Sequence, residues 1–181
     1  MKNTLKLFTA LVLTLIFLNG CKKESPAVPD AIDPIITLRI SGGGINKTFT
    51  SEEILPAGQF NFAPETKYNF TITMSDTGGL RLLRFRLSKG GVLNLVVTAV
   101  PTCVDYSNTV DTGFAYTETN ENNPYKSYLI TGEFNTPFSQ GDDFPVNFTL
   151  EGRDFTPNRT NLYISGSVNS NPPGGYGWVV I

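Results

Sequence analysis

The 181-residue sequence contains no histidine, one tryptophan and two cysteines. Histidine titrates near neutral pH, and its neutral imidazole is a common zinc ligand. Its absence therefore excludes histidine-based catalytic triads, histidine general bases and most catalytic zinc sites. Carboxylate, lysine and tyrosine chemistry remain open. The sequence predicts no cofactor and no metal site.

The sequence also lacks an apolar run of the roughly 20 residues that a membrane-spanning helix needs. Its apolar segment at residues 7–18, interrupted by Thr9 and Thr14, has twelve residues and follows Lys2 and Lys6. A charged start before a short hydrophobic core is typical of a secretory signal. Residues 1–20 are therefore predicted to be a signal peptide.

That segment ends in "LNGC", residues 18–21. The ending resembles the bacterial lipobox, in which a small residue precedes a cysteine that is lipidated on sulfur and becomes the new N-terminus. The resemblance covers residues 1–21 and implies a bacterial lipoprotein held on a membrane by acyl chains on Cys21. The competing interpretations are a membrane-spanning segment, against which the length argues, and a conventional cleavage that leaves Cys21 free.

Cys21 is followed by Lys22, Lys23, Glu24 and Ser25. Because no aspartate comes directly after the cysteine, the segment looks like that of an outer-membrane lipoprotein rather than one retained in the inner membrane. The charged residues also resemble the surface-export signal of some Gram-negative commensal lipoproteins, from which Ser25 departs. We expect a lipid-anchored outer-membrane protein and leave open whether it faces the periplasm or the cell exterior.

Charge limits the range of partners. The chain carries 14 Lys and Arg and 16 Asp and Glu, a net charge of −2. Removing residues 1–20 takes away two basic residues and no acidic ones, so the mature chain carries −4. Neutralising phosphates requires a basic surface, so nucleic acid is not expected as a partner.

The region from Cys21 onward divides into a tether and one domain. Residues 21–34 contain three prolines and little apolar content, which is typical of a semi-extended linker. In residues 35–181 apolar and polar residues alternate, as in strands with one buried face, and turn sequences separate the segments. The predicted strands are 35–40, 45–50, 68–75, 80–88, 92–100, 112–119, 126–134, 144–151, 161–168 and 176–181.

Short strands, frequent turns and 13 phenylalanines predict an all-β fold. We expect an antiparallel β-sandwich, with a small closed β-barrel as the alternative. Residues 66–88, "TKYNFTITMSDTGGLRLLRFRLS", resemble the strand, Asp-Gly turn and strand of bacterial immunoglobulin-like and cadherin-like modules. The resemblance implies an immunoglobulin-like domain with a binding, spacing or adhesive role.

Two Asp-Thr-Gly sequences, at 76–78 and 111–113, raise the question of an aspartic protease. Such enzymes place two of these loops face to face so that two carboxylates share one proton. Here Gly79 and Phe114 stand where those enzymes have a hydroxyl residue, and the chain is too short for two lobes. We therefore interpret both sequences as turns and expect no enzymatic activity, with hydrolysis as the most distant alternative.

Arginines cluster in "LRLLRFRLSK", residues 80–89. Arg84 and Arg86 share one face of a predicted strand, and a bulge at Leu82-Leu83 would bring Arg81 onto that face. Guanidiniums can hold carboxylates, or sulfated and acidic sugars, through paired hydrogen bonds. The ordinary alternative is a solvated stripe paired with acids on neighbouring strands. The acids considered for this pairing are Glu118, Glu133 and Glu151.

Tyrosines provide a second candidate surface. Tyr116, Tyr125 and Tyr128 flank the polar segment "TETNENN", residues 117–123. Tyr163 alternates with apolar neighbours on a predicted strand and is expected to face water. Aromatic rings of this kind can stack on the apolar faces of sugars, so these four tyrosines and the three arginines are the predicted ligand-binding residues.

These features predict a surface-exposed or outer-membrane lipoprotein that acts as a non-catalytic binding module, with glycans as the first ligand class. The alternative is an adhesion or assembly component that binds another surface protein. Such a component would use an edge strand or the terminal segment "GWVVI", residues 177–181, by strand addition.

Overall fold

The computed structural model describes residues 31–88, 91–100, 104–107, 111–138 and 144–180. The predicted signal peptide, the predicted lipidation site Cys21 and most of the predicted tether lie outside these residues. All the regular elements described are β-strands, and none of the described segments forms a helix that could cross a membrane.

The strands are β1 (Ile35–Gly42), β2 (Ile45–Thr50), β3 (Gly58–Phe62), β4 (Lys67–Ser75), β5 (Leu80–Ser88), β6 (Leu93–Val100), β7 (Val104–Ser107), β8 (Asp111–Thr117), β9 (Ser127–Asn135), β10 (Phe144–Pro145), β11 (Phe148–Asp154), β12 (Arg159–Ile164), β13 (Gly166–Val168) and β14 (Gly177–Val180).

Within the described residues the strands form three sheets. The first contains five strands in the order β2-β1-β4-β9-β6, and the second contains five in the order β12-β11-β5-β8-β7. The third has four strands in the order β10-β13-β3-β14. Neighbouring strands are antiparallel except for β13 and β3, which are parallel. The predicted antiparallel β-sandwich is confirmed, and the sheets do not close into the alternative barrel.

Alternation along the strands places the apolar residues of the first two sheets against each other. In β4 every second side chain is buried, and in β5 Leu83, Phe85 and Leu87 are buried. The rings of Phe70 on β4 and Phe85 on β5 lie 5.3 Å apart and join the two sheets. Burying such apolar surface is the main favourable contribution to folding.

Phe62 links the third sheet to the other two. Its ring centroid lies 5.0 Å from that of Tyr68 and 5.8 Å from that of Phe134, both on the first sheet. The ring of Phe148, on the second sheet, lies 6.3 Å away. Since Phe62 is fully buried, all three sheets share one aromatic core around it.

Two segments predicted as single strands each cross between sheets. The predicted strand 144–151 divides into β10 and β11, and 161–168 divides into β12 and β13. The crossing points lie side by side, because the Asn147 side-chain oxygen accepts hydrogen bonds from Ser165 Oγ and the Gly166 amide, both at 3.3 Å. Side chains thus replace ladder bonds where the strands change sheet. Alternation hid the break because Val146 and Phe148 both face the core.

Strands β3 and β7 were not predicted. β3, "GQFNF", is short, and its core-facing Phe60 and Phe62 alternate with two amide side chains, Gln59 and Asn61. β7 has four residues. Runs this short give too few repeats of the apolar–polar alternation to separate a strand from a loop.

The structure separates the two Asp-Thr-Gly sequences. Asp76 precedes β5, and its Oδ1 accepts a hydrogen bond from the Gly79 amide at 2.7 Å, so this copy is a turn, as predicted. The second copy begins strand β8 and is not the predicted turn, because Asp111 pairs with Ser88 at the opposite end of β5. At roughly 3.3 Å per residue, β5 places about 26 Å between its two ends. The backbones of the two Asp-Thr-Gly sequences therefore do not face each other as they do in an aspartic protease.

Replacing Phe62 by alanine is expected to lower the free energy of unfolding by about 3–5 kcal/mol, because the cavity would open where three sheets meet. Phe138→Ala is the matched control, since it removes the same atoms from an exposed ring and should change stability by about 0.5 kcal/mol or less. Equilibrium urea unfolding measures both. Similar losses in the two variants would contradict the central position of Phe62.

Candidate functional site

The outer face of the second sheet collects basic side chains from three adjacent strands. In β5, Phe85 and Leu87 point into the core, so Arg84 and Arg86 point outward. The same alternation in the β11–β12 hairpin turns one acid, two further arginines and one tyrosine outward. We call this surface the arginine face; it is formed by Arg84, Arg86, Glu151, Arg153, Arg159 and Tyr163.

Glu151 occupies the centre of the arginine face and is only 5% exposed. Its Oε2 lies 3.0 Å from Arg84 Nη1 on β5. Its Oε1 accepts a hydrogen bond from Arg153 Nε at 2.7 Å and lies 3.3 Å from Arg159 Nε. One carboxylate thus holds three guanidiniums from three strands.

This arrangement resolves an electrostatic conflict in the hairpin. Arg153 and Arg159 lie directly opposite each other in the register of β11 and β12, and like charges in that position repel. Both side chains turn toward Glu151 instead. Of the three acids considered for pairing with the β5 arginines, Glu151 is the one that pairs; Glu133 forms an exposed ion pair with Lys67, and Glu118 bonds to Tyr116.

The arginine face carries an excess of positive charge. Its described side chains include four guanidiniums and one carboxylate, whereas the whole chain has a net charge of −2. Arg86 is half-buried, and its Nε has no hydrogen-bond partner in the described part of the chain. Arg84, Arg153 and Arg159 keep about half of their side-chain surface exposed. The face therefore retains guanidinium groups that a dissolved anion can reach.

Tyr163 lies on β12, the edge strand of the second sheet, beside these arginines. Its side chain is 57% exposed, as predicted from the alternation of β12. In the sheet register it shares a row with Thr149 on β11 and Arg86 on β5. With strands spaced about 4.8 Å apart, the Tyr163 and Arg86 backbones lie about 10 Å apart. The exposed ring of Tyr163 therefore lies on the same surface as the half-exposed guanidiniums of Arg84, Arg153 and Arg159.

Arg81 is separate from the arginine face. The register of β5 shifts between Leu80 and Leu82, so the extra residue is Arg81 itself and not the predicted Leu82-Leu83 pair. Arg81 lines a different depression, of about 370 Å³, together with Glu118 and Glu121. Its surroundings are acidic, so Arg81 does not add to the cationic surface.

Tyr116, Tyr125 and Tyr128 come together in the structure, and we call them the tyrosine cap. The Tyr116 ring lies 4.8 Å from Tyr128 and 6.1 Å from Tyr125. Tyr128 is 2% exposed, and its hydroxyl donates to the Leu80 carbonyl at 3.1 Å. Only Tyr125, which is 48% exposed, presents much of its ring to solvent. The cap closes one end of the sandwich between the first two sheets and offers a small ligand surface.

Glu118 fixes the tyrosine cap electrostatically. Its carboxylate accepts hydrogen bonds from the Asn120 and Thr119 amides and from the Tyr116 hydroxyl, each at 2.8 Å. The bond from the Asn120 amide, followed by that from Tyr116, lowers the pKa of Glu118. Burial and the bonded carboxylate raise the pKa of Tyr116 to about 12. Near neutral pH, Tyr116 is therefore a neutral donor to an ionised acid.

Sequence reasoning found Arg84, Arg86 and Tyr163 but missed Arg153 and Arg159. The missing signal was the hairpin turn at residues 155–158, which places those two arginines opposite each other. Thr156 and Asn158 donate to the Asp154 carboxylate at this turn. A turn built on an aspartate side chain is recognisable in "DFTPN", residues 154–158.

No protein-family model and no curated protein matches this chain. One solved structure that resembles it was described as a family 123 glycoside hydrolase from Clostridium perfringens, in a study of glycolipid glycan hydrolysis. The match has a TM-score of 0.36 and 12% sequence identity over 75% of this chain. The chain spans 28% of the length of that structure.

Replacing Glu151 by glutamine should lower the free energy of unfolding by about 1.5–3 kcal/mol, since the buried acceptor loses its charge beneath three guanidiniums. Glu133→Gln is the matched control, because its ion pair with Lys67 is exposed and should contribute about 1 kcal/mol or less. Urea unfolding at low salt measures both. A loss for Glu151→Gln no larger than that for the control would show that Glu151 does not organise the arginine face.

Proposed function

We propose that this protein is a lipid-anchored outer-membrane binding module, and that its arginine face holds anionic glycans without cleaving them. The observation that carries this proposal is the excess of four guanidiniums over one buried carboxylate on the outer face of the second sheet. The chain as a whole is acidic, so this local excess runs against the average composition.

The chemistry of the arginine face fits sugars that carry carboxylate or sulfate groups. Guanidinium presents its donors in a planar fork, which matches the paired oxygens of such anions. Glu151 orients Arg84, Arg153 and Arg159 from below, so less side-chain freedom is lost when a ligand binds. Tyr163 adds an exposed ring on which the apolar face of a sugar can stack.

A binding role without catalysis is supported by the chain's own groups. The sequence has no histidine, and the two Asp-Thr-Gly sequences lie at opposite ends of β5. On the arginine face Glu151 is engaged by three arginines. Both of its carboxylate oxygens are therefore already bonded to guanidinium donors.

The double variant Arg84→Gln/Arg86→Gln should weaken binding to a sulfated polysaccharide such as heparin, and to polygalacturonate, by about tenfold or more. The lipidated protein purified in detergent is used, with affinity measured by isothermal titration calorimetry. Tyr163→Ala should weaken the same interaction without altering charge. Arg39→Gln is the matched control, since Arg39 is an exposed arginine on the first sheet.

The affinity of the unaltered protein for these polysaccharides should fall as salt rises, because salt screens the partly exposed pairs between guanidiniums and ligand anions. Unchanged affinity in the double variant, or an equal loss in Arg39→Gln, would remove the arginine face from the proposal. A failure of the unaltered protein to bind any acidic polysaccharide tested would overturn the proposed ligand class.

The proposed anchor predicts that Cys21→Ser moves the protein from the membrane pellet to the soluble fraction, because acyl chains on Cys21 supply the membrane affinity. Fractionation of cells with metabolic labelling by a radioactive fatty acid measures this. Label that persists in Cys21→Ser would contradict lipidation at this residue. External protease applied to intact cells separates the two faces, since only a surface-displayed domain would be cut.

A second candidate function, assembly with another protein, is favoured by the position of the terminal strand. β14 lies at an edge of the third sheet and pairs with β3 on one side. Edge strands offer unpaired backbone groups to an added strand. Retention of a protein, rather than a glycan, by the immobilised lipoprotein would favour this alternative.

A further inference from the structure

The third sheet carries an amide-rich surface that is separate from the arginine face. In β3 the aromatic residues Phe60 and Phe62 point into the core, so Gln59 and Asn61 project from the opposite face. Across this face Gln59 pairs with Val179 on β14, and Asn61 pairs with Ser167 on β13. Two amides, a hydroxyl and a valine therefore lie side by side.

These polar groups form a connected network. Gln59 Nε2 donates to Ser167 Oγ and, at 3.4 Å, to Asn61 Oδ1. Asn61 Nδ2 donates in turn to the Gly175 carbonyl at 3.0 Å and the Pro173 carbonyl at 3.4 Å. Asn61 and Ser167 are both buried. Both described hydrogen bonds of the Gln59 side chain start from Nε2, so within the described residues its carbonyl oxygen Oε1 remains able to accept a hydrogen bond from a ligand.

The loop at residues 169–176 forms a wall above this network and is held in place at several points. The Asn171 amide donates to Asn169 Oδ1 at 2.8 Å, and the Tyr176 hydroxyl donates to the Ser170 carbonyl at 3.1 Å. Gly174 has φ of 79°, in the left-handed region that glycine adopts at low cost. A wall fixed by its own bonds and by Asn61 is organised before any ligand arrives.

Wall and sheet enclose a depression of about 460 Å³, which we call the amide depression. This volume falls within the range of about 300–1,000 Å³ found for small-molecule sites. Its described lining contains no ionisable side chain; the amides of Gln59, Asn61 and Asn169 face the apolar surfaces of Pro173, Val179 and Val180. We propose that the amide depression binds a neutral, hydroxyl-rich ligand, a mono- or disaccharide segment of a glycan.

The lining chemistry selects this ligand class. Side-chain amides donate and accept hydrogen bonds, as sugar hydroxyls do. Valine and proline give the apolar C–H face of a sugar ring a surface to cover. A charged ligand would lose hydration without meeting an opposite charge in the described lining, which is costly. The amide depression thus differs from the arginine face in the charge of the ligand it accepts.

The single tryptophan of the chain can report on the amide depression through strand β14, which carries it. Trp178 lies on β14 between Gly177 and Val179, with its ring packed 5.2 Å from Phe49 on the core side. A ligand that contacts Val179 and Val180 alters the strand that carries this ring, whereas the arginine face belongs to the second sheet. Tryptophan fluorescence can therefore distinguish occupancy of the two sites.

The test titrates the lipidated protein in detergent with a panel of neutral disaccharides built from glucose, galactose, mannose or N-acetylglucosamine, while Trp178 fluorescence is followed. At least one disaccharide is expected to give saturable binding. Gln59→Met, which keeps the side-chain length but removes both the Oε1 acceptor and the Nε2 donor of the network, should weaken that binding by about tenfold. Val180→Trp should block the exposed rim, and Val96→Trp on β6 is the matched control at another exposed valine.

Saturable binding that is lost in Gln59→Met and Val180→Trp, yet kept in Val96→Trp and Arg84→Gln/Arg86→Gln, supports the proposal. Equal binding by Val180→Trp and the unaltered protein would overturn it, as would the absence of a saturable response to every neutral disaccharide in the panel. Loss of neutral-sugar binding in Arg84→Gln/Arg86→Gln would assign that binding to the arginine face and overturn the proposal. The arginine face is tested with acidic polysaccharides, so either proposal can fail while the other stands.

Discussion

Burial of one continuous aromatic cluster is the constraint on which the rest of the molecule depends. Phe62 contacts rings from the first and second sheets, and no two of the three sheets can move apart without exposing them. The strand crossings near Asn147 and Ser165 serve this arrangement, since they let one hairpin contribute to two sheets while its apolar residues remain inward. Once the apolar residues face inward, the alternation of side chains along each strand decides which residues face outward.

Each outer face uses this outward register differently. On the second sheet a single buried acid, Glu151, compensates arginines that would otherwise repel one another, and it keeps their outer surfaces in water. On the third sheet no charge is needed. Gln59 donates hydrogen bonds to the buried Asn61 and Ser167, and Asn61 donates to the Gly175 carbonyl. A buried polar group is costly unless it is hydrogen-bonded, and Glu151, Asn61 and Ser167 each meet that requirement through side chains that also shape a surface.

Much of the fold could be predicted from the sequence, because long alternating segments such as β4 and β5 encode both the strand and its buried face. The outward direction of Arg84, Arg86 and Tyr163 followed from the same alternation. Pairing could not be predicted, since it depends on contacts distant in sequence. Arg153 and Arg159 are near Glu151 in sequence, but they were missed because the hairpin turn between them was not recognised. Tyr128, predicted as a ligand residue, lies beneath its neighbours. Short β3, with only two inward residues to show its period, concealed Gln59 and Asn61.

The two ends of β4 carry different surfaces. β1 begins at Ile35, which pairs with Ser75 at the last residue of β4, so the 76–79 turn and the tyrosine cap lie at that end. At the other end of β4, Tyr68 packs on Phe62, whose carbonyl accepts a hydrogen bond from Asn169 in the wall of the amide depression. Nine-residue β4 spans about 26 Å. The tyrosine cap and the wall of the amide depression therefore stand about one strand length apart, so a ligand bound at one does not contact a ligand bound at the other.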